Sequence, residues 1–373
     1  MGPADEVVGS GVAWDDRRTM TSSAPLVLLM SSNGAGMGHL TRLLAYAARL
    51  PEDVRRYVLS MSQAVPVVAQ YGYRYEYLPS AGSLGMAASA WQPLFEERLI
   101  ETIGRVAPDL VVFDGTHPYT GIDAARAAFP DTRWVWSRRG MWKPGLNVDQ
   151  LAKTSWFDEV IEPGDLAAPY DEGASASALA HRVGPVTLAD RDELLPRAEA
   201  RARLGLPADG PIGLIALGAG NINDTSGDVG AAAAALRAAG CAVAVTQVDI
   251  ARSAVGGDVH AVRAYPLAPC YSAFDVVIAA AGYNSFHELL RLGIPTAFVP
   301  NRHTSLDDQD ARARYAADQG WSVRLEHVTV DSVSQALWRL LDHGREMADR
   351  AVAADPGNGA AAGAARLMEV LRS

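Results

Sequence analysis

The chain has 373 residues, enough for two domains that each bury a core, and its 49% hydrophobic and 20% charged content exclude a disordered or fibrous protein. A total of 33 basic against 43 acidic residues gives a formal net charge of −10, which excludes a nucleic-acid binder held by phosphate neutralisation. An anionic ligand must then be met locally, by backbone amides at helix N-termini.

Residues 1–23 are polar and acidic, lack the apolar region of a signal peptide, and read as a flexible extension. From Pro25 the chain alternates. Pro25–Met30 is an apolar strand that stops at a glycine cluster, and Leu40, Leu43, Leu44 and Ala47 then recur at helical spacing. Strands follow at Arg56–Met61, Leu110–Phe113 and Trp134–Trp136, with helices at Ala64–Tyr71 and Thr120–Phe129. Continuous apolar strands separated by helices predict a parallel sheet covered on both faces. The pattern breaks between Pro163 and Asp192, where an interdomain linker is expected. A second alternation follows, with strands at Ile212–Leu217, Ala242–Val248, Val276–Ile278 and Pro295–Val299. Its helices are expected at Val229–Ala239, Phe286–Leu292 and Gln309–Gln319, and Ala360–Leu371 should form a last helix able to pack back across the hinge. No stretch approaches the ~20 continuous apolar residues of a membrane span. Cys241 and Cys270 are too few for a disulfide framework or a thiolate metal site, which fits a reducing cytoplasm.

Candidate chemistry gathers where strands end. In the first loop, Gly36 and Gly38 permit close ligand approach, and His39 and Arg42 open the helix behind them. Asp114 ends a strand at the same carboxyl edge, where a carboxylate would hold His39 in one tautomer; His117 is the alternative partner or base. Arg138, Arg139, Trp142 and Lys143 follow the next strand and are expected to hold an acceptor or a phosphate. In the second half, Gly282, Asn284 and Ser285 open a helix suited to a diphosphate, with Glu288 one turn in to accept from ribose hydroxyls. Asp308-Gln309-Asp310 matches an acid-x-acid metal pattern, but acids at a helix start are favoured by the dipole, so no metal site is expected.

Gly282-Tyr283-Asn284-Ser285, Glu288, Gly293-Ile294-Pro295, Pro300 and Asp308-Gln309 resemble, in order, the donor-binding signature of nucleotide-sugar glycosyltransferases of the GT-B fold. The loop carrying His39 is similar to that of the MurG-like cell-wall N-acetylglucosaminyltransferases. The resemblance implies an α/β protein of two Rossmann-like parallel-sheet domains facing across a cleft. It assigns residues 24–186 to the acceptor, 187–352 to the nucleotide sugar and 353–373 to a C-terminal helix. Carried over residue by residue, Gly282 and Ser285 are diphosphate ligands, Glu288 the ribose ligand, and Asp308 and Gln309 contacts to donor-sugar hydroxyls. Gly218, Gly220 and Asn221 resemble the second phosphate loop, the backbone of Tyr265-Pro266-Leu267 reads the base, and His39 is the general base of an inverting transfer. The plant-type His-Cys-Gly-Trp is Ala280-Ala281-Gly282-Tyr283 here, so that histidine contact to phosphate is missing. Trp136–Lys143 also departs from the family's acceptor sequence, and no basic-apolar membrane patch is evident.

The expected function is transfer of a hexose from a UDP-sugar co-substrate to a hydroxyl of a small soluble acceptor, a specialised metabolite, without a tightly bound cofactor or metal. Partners are limited to that donor and acceptor, without nucleic acid or membrane, in a monomer or homodimer. The alternatives are a UDP-sugar hydrolase, because Gly38-His39-Leu40-Thr41-Arg42 also fits a G-H-x-x-R loop, a UDP-sugar epimerase, or a catalytically silent sensor.

Overall fold

A computed structural model of the chain describes residues 24–32, 36–218, 224–247 and 259–373. Seven parallel strands build the first sheet: β1 (Leu26–Ser31), β2 (Arg55–Ser60), β3 (Arg74–Tyr77), β4 (Leu110–Asp114), β5 (Arg133–Ser137), β6 (Glu159–Pro163) and β7 (His181–Val183), in the order β3-β2-β1-β4-β5-β6-β7. Six build the second: β8 (Ile212–Ala216), β9 (Ala242–Thr246), β10 (His260–Val262), β11 (Val276–Ala280), β12 (Thr296–Val299) and β13 (Val323–Arg324), in the order β10-β9-β8-β11-β12-β13. The helices in chain order are α1 (Gly38–Ala47), α2 (Ala81–Leu84), α3 (Ala88–Val106), α4 (Ile122–Ala128) and α5 (Arg197–Leu204). They continue with α6 (Ser226–Ala238), α7 (Tyr283–Arg291), α8 (Gln309–Asp318), α9 (Val330–Ala353) and α10 (Ala360–Arg372).

Both sheets are doubly wound, and each reverses direction between its first strand and the strand that ends at Asp114 or Ala280. Crevices open at such switch points, outside the carboxyl ends of the strands. Parallel register does the positioning: Ser31 of β1 lies opposite Asp114 of β4, and Asp114 lies opposite Ser137 of β5. The carboxyl ends of β1, β4 and β5 are thereby brought to one edge. The strands are apolar almost throughout because both faces are covered. Leu29, Val112 and Val135 pack under α1 on one face of the first sheet, and Leu28, Phe113 and Trp136 pack on the other with Trp91 and Phe95 of α3.

Two features exceed the strand–helix alternation. Pro163–Asp192 is not a free linker: β7 joins the first sheet, while Leu166, Ala167 and Ala189 pack into the core of the second. A three-residue strand, His-Arg-Val, is too short to carry a periodic signal. At the chain's end, α10 returns to the first sheet, where Ala360, Ala364 and Leu367 share the core of β1 and α1. Gly363 allows this close approach, since a Cβ there would sit 2.3 Å from the Tyr46 ring.

Candidate active site

His39 stands in the first turn of α1, 14% exposed, with its Nδ1 2.6 Å from Asp114 Oδ1 and 2.9 Å from Arg42 Nη2. An ionised carboxylate only accepts and a guanidinium only donates, so the shorter, charge-assisted contact places the ring proton on Nδ1, facing Asp114. Nε2 is left with a free lone pair. Burial lowers the His39 pKa, and Arg42 and Arg139 lower it further against the pull of Asp114, so the ring is neutral at neutral pH. Asp114 is fully buried. Desolvation alone would raise its pKa, but Arg42 and His39 outweigh it and hold the carboxyl at about 2. Arg42 Nε and Nη2 grip its two oxygens at 3.1 and 2.6 Å, and Ser137 Oγ donates to it at 2.7 Å. The carboxylate is thus always charged and fixed in place, and it orients the imidazole.

Facing this group is the N-terminus of α7. Gly282 is its N-cap, without a side-chain cap and without an acidic residue in the first turn, and α1 is likewise uncapped. The free amides of both helix starts favour an anion between them. The halves touch here: Asn284 Nδ2 donates to the Gly38 carbonyl at 3.5 Å, Tyr265 Oη pairs with Thr41 Oγ1 at 3.0 Å, and the Arg42 guanidinium lies 5.1 Å from the Tyr283 ring centroid. One turn into α7, the Glu288 carboxyl is half-buried and has no hydrogen-bond partner among the described residues. Burial pushes its pKa up to about 7, with Arg291 opposing.

Gly218, at the end of β8, adopts a φ of +98°, a conformation glycine takes without strain, and its Cβ position is open space. Gly36 is similarly open. Gly220 and Asn221 lie outside the described residues. Leu267 packs on the second core, and Ser285 is half-buried in the first turn of α7. Asp308 caps α8 by accepting from the Ala311 amide at 2.9 Å. Gln309 is buried, bonded to the Asn301 amide at 3.0 Å and to Asp307 at 3.3 Å, and its Nε2 lies 3.7 Å from the Cβ position of Gly282. Asp310 pairs with Arg302 and Arg324. An open cavity of about 400 Å³ lies at the carboxyl ends of β8, β11 and β12, lined by Thr225, Asp228, Arg302, His303 and His327. Glu288 and Tyr265 are not part of its wall.

The expected acceptor group needs correction. Arg138 is fully buried, paired with Glu162 at 3.0 Å and flanked by the rings of Trp136 and Trp142. Trp142 is also buried, so neither presents itself to a ligand. The cause is that the chain turns inward after β5 instead of leaving as an exposed loop. Arg139 is nearly buried and paired with Asp307. His117 does not join Asp114; its Nδ1 lies 3.3 Å from Thr116 Oγ1 and its ring stands edge-on to Tyr119. The buried acid Asp307 and its partner Arg312 were not legible as a pair, because five residues on α8 and its lead-in loop bring them together only once folded.

Residues 238–370 match the glycosyltransferase family 28 C-terminal domain. The chain is 33% identical over 193 residues to the UDP-N-acetylglucosamine–N-acetylmuramyl-(pentapeptide) pyrophosphoryl-undecaprenol N-acetylglucosamine transferase of Rhodococcus opacus, a match covering 49% of this chain and 50% of that protein. It is 27% identical over 331 residues to the protein of the same name from Nocardia farcinica, covering 81% and 83%. The chain thus spans about half the length of the first of these relatives. Among solved structures, spinosyn rhamnosyltransferase SpnG complexed with thymidine diphosphate superposes with a TM-score of 0.63 at 15% identity, over 92% of this chain and 99% of that one. Two doubly wound parallel sheets and the superposition over 92% of the chain show the GT-B fold, and its second half carries the match to the family 28 C-terminal domain.

Proposed function

We propose that the chain is an inverting hexosyltransferase that moves a sugar from a nucleoside diphosphate, UDP in the first instance, to a hydroxyl of a small soluble acceptor in the cytoplasm. The observation that carries this reading is the His39–Asp114 pair facing the uncapped start of α7. In the reaction, His39 Nε2 takes the acceptor hydroxyl proton while Asp114 stabilises the imidazolium that forms. The acceptor oxygen attacks the anomeric carbon from the side opposite the diphosphate, the bond to the phosphate oxygen breaks, and the configuration inverts. Charge grows on the departing diphosphate, where the amides of Tyr283, Asn284 and Ser285 meet it. Glu288 accepts from the ribose hydroxyls, Tyr265 and Leu267 border the base, and Asp308 and Gln309 lie beside the sugar. Residues 24–186 supply the acceptor side and 187–352 the donor side. No step requires a metal.

The relatives are named for a lipid-linked acceptor, so the acceptor panel must include pyrophosphoryl-undecaprenol substrates beside soluble alcohols. The test measures UDP release from a set of UDP- and dTDP-sugars with and without acceptor. Acceptor-dependent release with an inverted product supports transfer. Equal release without acceptor identifies the hydrolase, and interconversion of the sugar without release identifies the epimerase. Binding without turnover under every condition identifies the sensor.

A further inference from the structure

The segment after β5 leaves the first sheet and joins the second half. Its backbone pairs with the donor-side loop: the Lys143 amide donates to Leu306 O at 2.8 Å, the Asp308 amide donates to Met141 O at 2.9 Å, and Trp142 and Asp307 form an antiparallel bridge. Lys143 Nζ donates to the carbonyls of Arg302 and Thr304. Met141 packs in the core of the second sheet, while Leu306, coming the other way, packs in the core of the first. Met141 also holds a φ of +57°, rare for a side chain of its size, and its amide is fixed by Asp171 Oδ2 at 2.8 Å.

At the centre of this exchange sits one carboxylate. Asp307 Oδ1 accepts from Arg139 of the first half and, at 2.5 Å, from Arg312 of α8, whose Nε donates in turn to Asp165 at 2.7 Å. Arg312 and Asp307 are buried, and Arg139 is only 12% exposed. Asp307 directly precedes the pair placed beside the donor sugar, and Gln309 donates to its other oxygen. On the other side, Ser137, two residues before Arg139, donates its hydroxyl to Asp114 at 2.7 Å, and Asp114 holds His39 Nδ1 at 2.6 Å. The segment that carries Arg139 thus joins the donor-side loop to the His39–Asp114 pair, and the Arg139 charge lowers the His39 pKa.

We propose that Arg139 and Asp307 are positioning residues that fix the donor-side loop 301–309 against the His39–Asp114 pair, and that a shift of this loop is felt at His39 through their ion pair. The proposal rests on the reading of His39 as base and of Asp308 and Gln309 as donor contacts.

The two partners act on His39 with opposite sign. Removing the Arg139 charge takes away a cation that disfavours the imidazolium, so its pKa rises. Neutralising Asp307 leaves Arg139 less compensated, so the His39 pKa falls. A purely structural loosening would move both variants the same way. The measurement is an NMR titration of isotope-labelled histidine in the ligand-free full chain, with His39 assigned by the signal lost in His39→Gln. Arg139→Gln should titrate about half a unit higher than the wild type and Asp307→Asn lower, the scale of one partly neutralised charge at a half-buried site. Shifts in one direction, or none, overturn the proposal. If Arg139→Gln does not fold, Arg139→Lys keeps the charge with a shorter reach to Asp307; its His39 should titrate at or below the wild-type value, and a rise refutes the coupling. A thermal-shift titration with UDP accompanies each variant. Failure of the wild type to bind UDP sinks the donor reading, while the histidine titrations still decide the junction.

Discussion

Replacing Glu288 by glutamine should make the protein more stable and a poorer nucleotide binder. The carboxyl is half-buried without a hydrogen-bond partner among the described residues, and its pKa is pushed up to about 7 from an ordinary 4.5. A group whose folded pKa lies above its unfolded value stabilises fully below the unfolded pKa and loses that contribution as pH rises through the folded one. The cost of holding the ionised carboxylate is therefore absent below about pH 4.5 and complete above about pH 7. The shift of 2.5 units corresponds to about 3 kcal/mol, which partial exposure reduces to roughly 2. Glutamine keeps the shape and carries no charge. At pH 8 Glu288→Gln should unfold about 4–8 °C above the wild type at 2–4 °C per kcal/mol, and the gap should close as the pH falls to 5. In the same instrument UDP should raise the wild-type midpoint by mass action, and the variant should need about 10- to 100-fold more UDP for an equal shift, the worth of one or two hydrogen bonds to a charged acceptor. A variant that is less stable at pH 8, or a gap independent of pH, would show that the carboxylate has a partner and is not strained in wait for one. Unchanged UDP affinity would remove it from the nucleotide site.

His39→Gln should lower turnover by about 10²- to 10⁴-fold while leaving the UDP-induced thermal shift intact, since the base and the donor site are separate; loss of UDP binding would contradict this. Because burial and the two arginines lower the His39 pKa, kcat/KM should stay high as the pH falls through 6.5, and an acid limb centred at or above that value would refute the neutral imidazole. Gly363→Leu should cost about 1–3 kcal/mol in denaturant unfolding, because its Cβ alone would lie 2.3 Å from the Tyr46 ring. Turnover should be insensitive to EDTA and to added Mn²⁺, as Asp308 and Asp310 are already committed to the α8 cap and to two arginines.

The doubly wound halves were legible because their central strands are continuous apolar runs of five or six residues ending at glycine or a polar residue. Leu26–Ser31, Leu110–Asp114 and Val276–Ala280 are buried nearly throughout, and such burial writes itself into composition. The outer strands leave no such signal, for the converse reason. Arg74–Tyr77 and His181–Val183 are short and mostly exposed, so they carry neither an apolar run nor alternation. In α3, Pro93 breaks what would otherwise read as one amphipathic face of 19 residues. At the candidate site, the meeting of His39 with Asp114 followed from two strand ends at one sheet edge. The burial of Arg138 did not, because its partner Glu162 comes from the next strand, 24 residues on, and the exchange of Met141 for Leu306 did not, because it depends on contacts between halves more than 150 residues apart, which no local period records.

The negative charge of the chain and the expected diphosphate are reconciled by how its arginines are used. Arg42, Arg139 and Arg312 lie at the junction of the two halves, and each is paired with a carboxylate: Asp114, Asp307, and Asp165 with Asp307. Their formal charges are therefore largely compensated before any ligand arrives. What remains uncompensated is the positive end of α7, with no cap and no acid in its first turn, together with the matching end of α1. Backbone amides cannot rotate away or be titrated, so they need no reorganisation when charge grows on the departing phosphate. In the proposed site the arginines would hold the carboxylates that hold His39 and the loop before α8, and the helix ends would be left for the anion. An arginine clamp on the diphosphate would have had to give up one of those pairs, leaving a buried carboxylate alone at a cost of several kcal/mol.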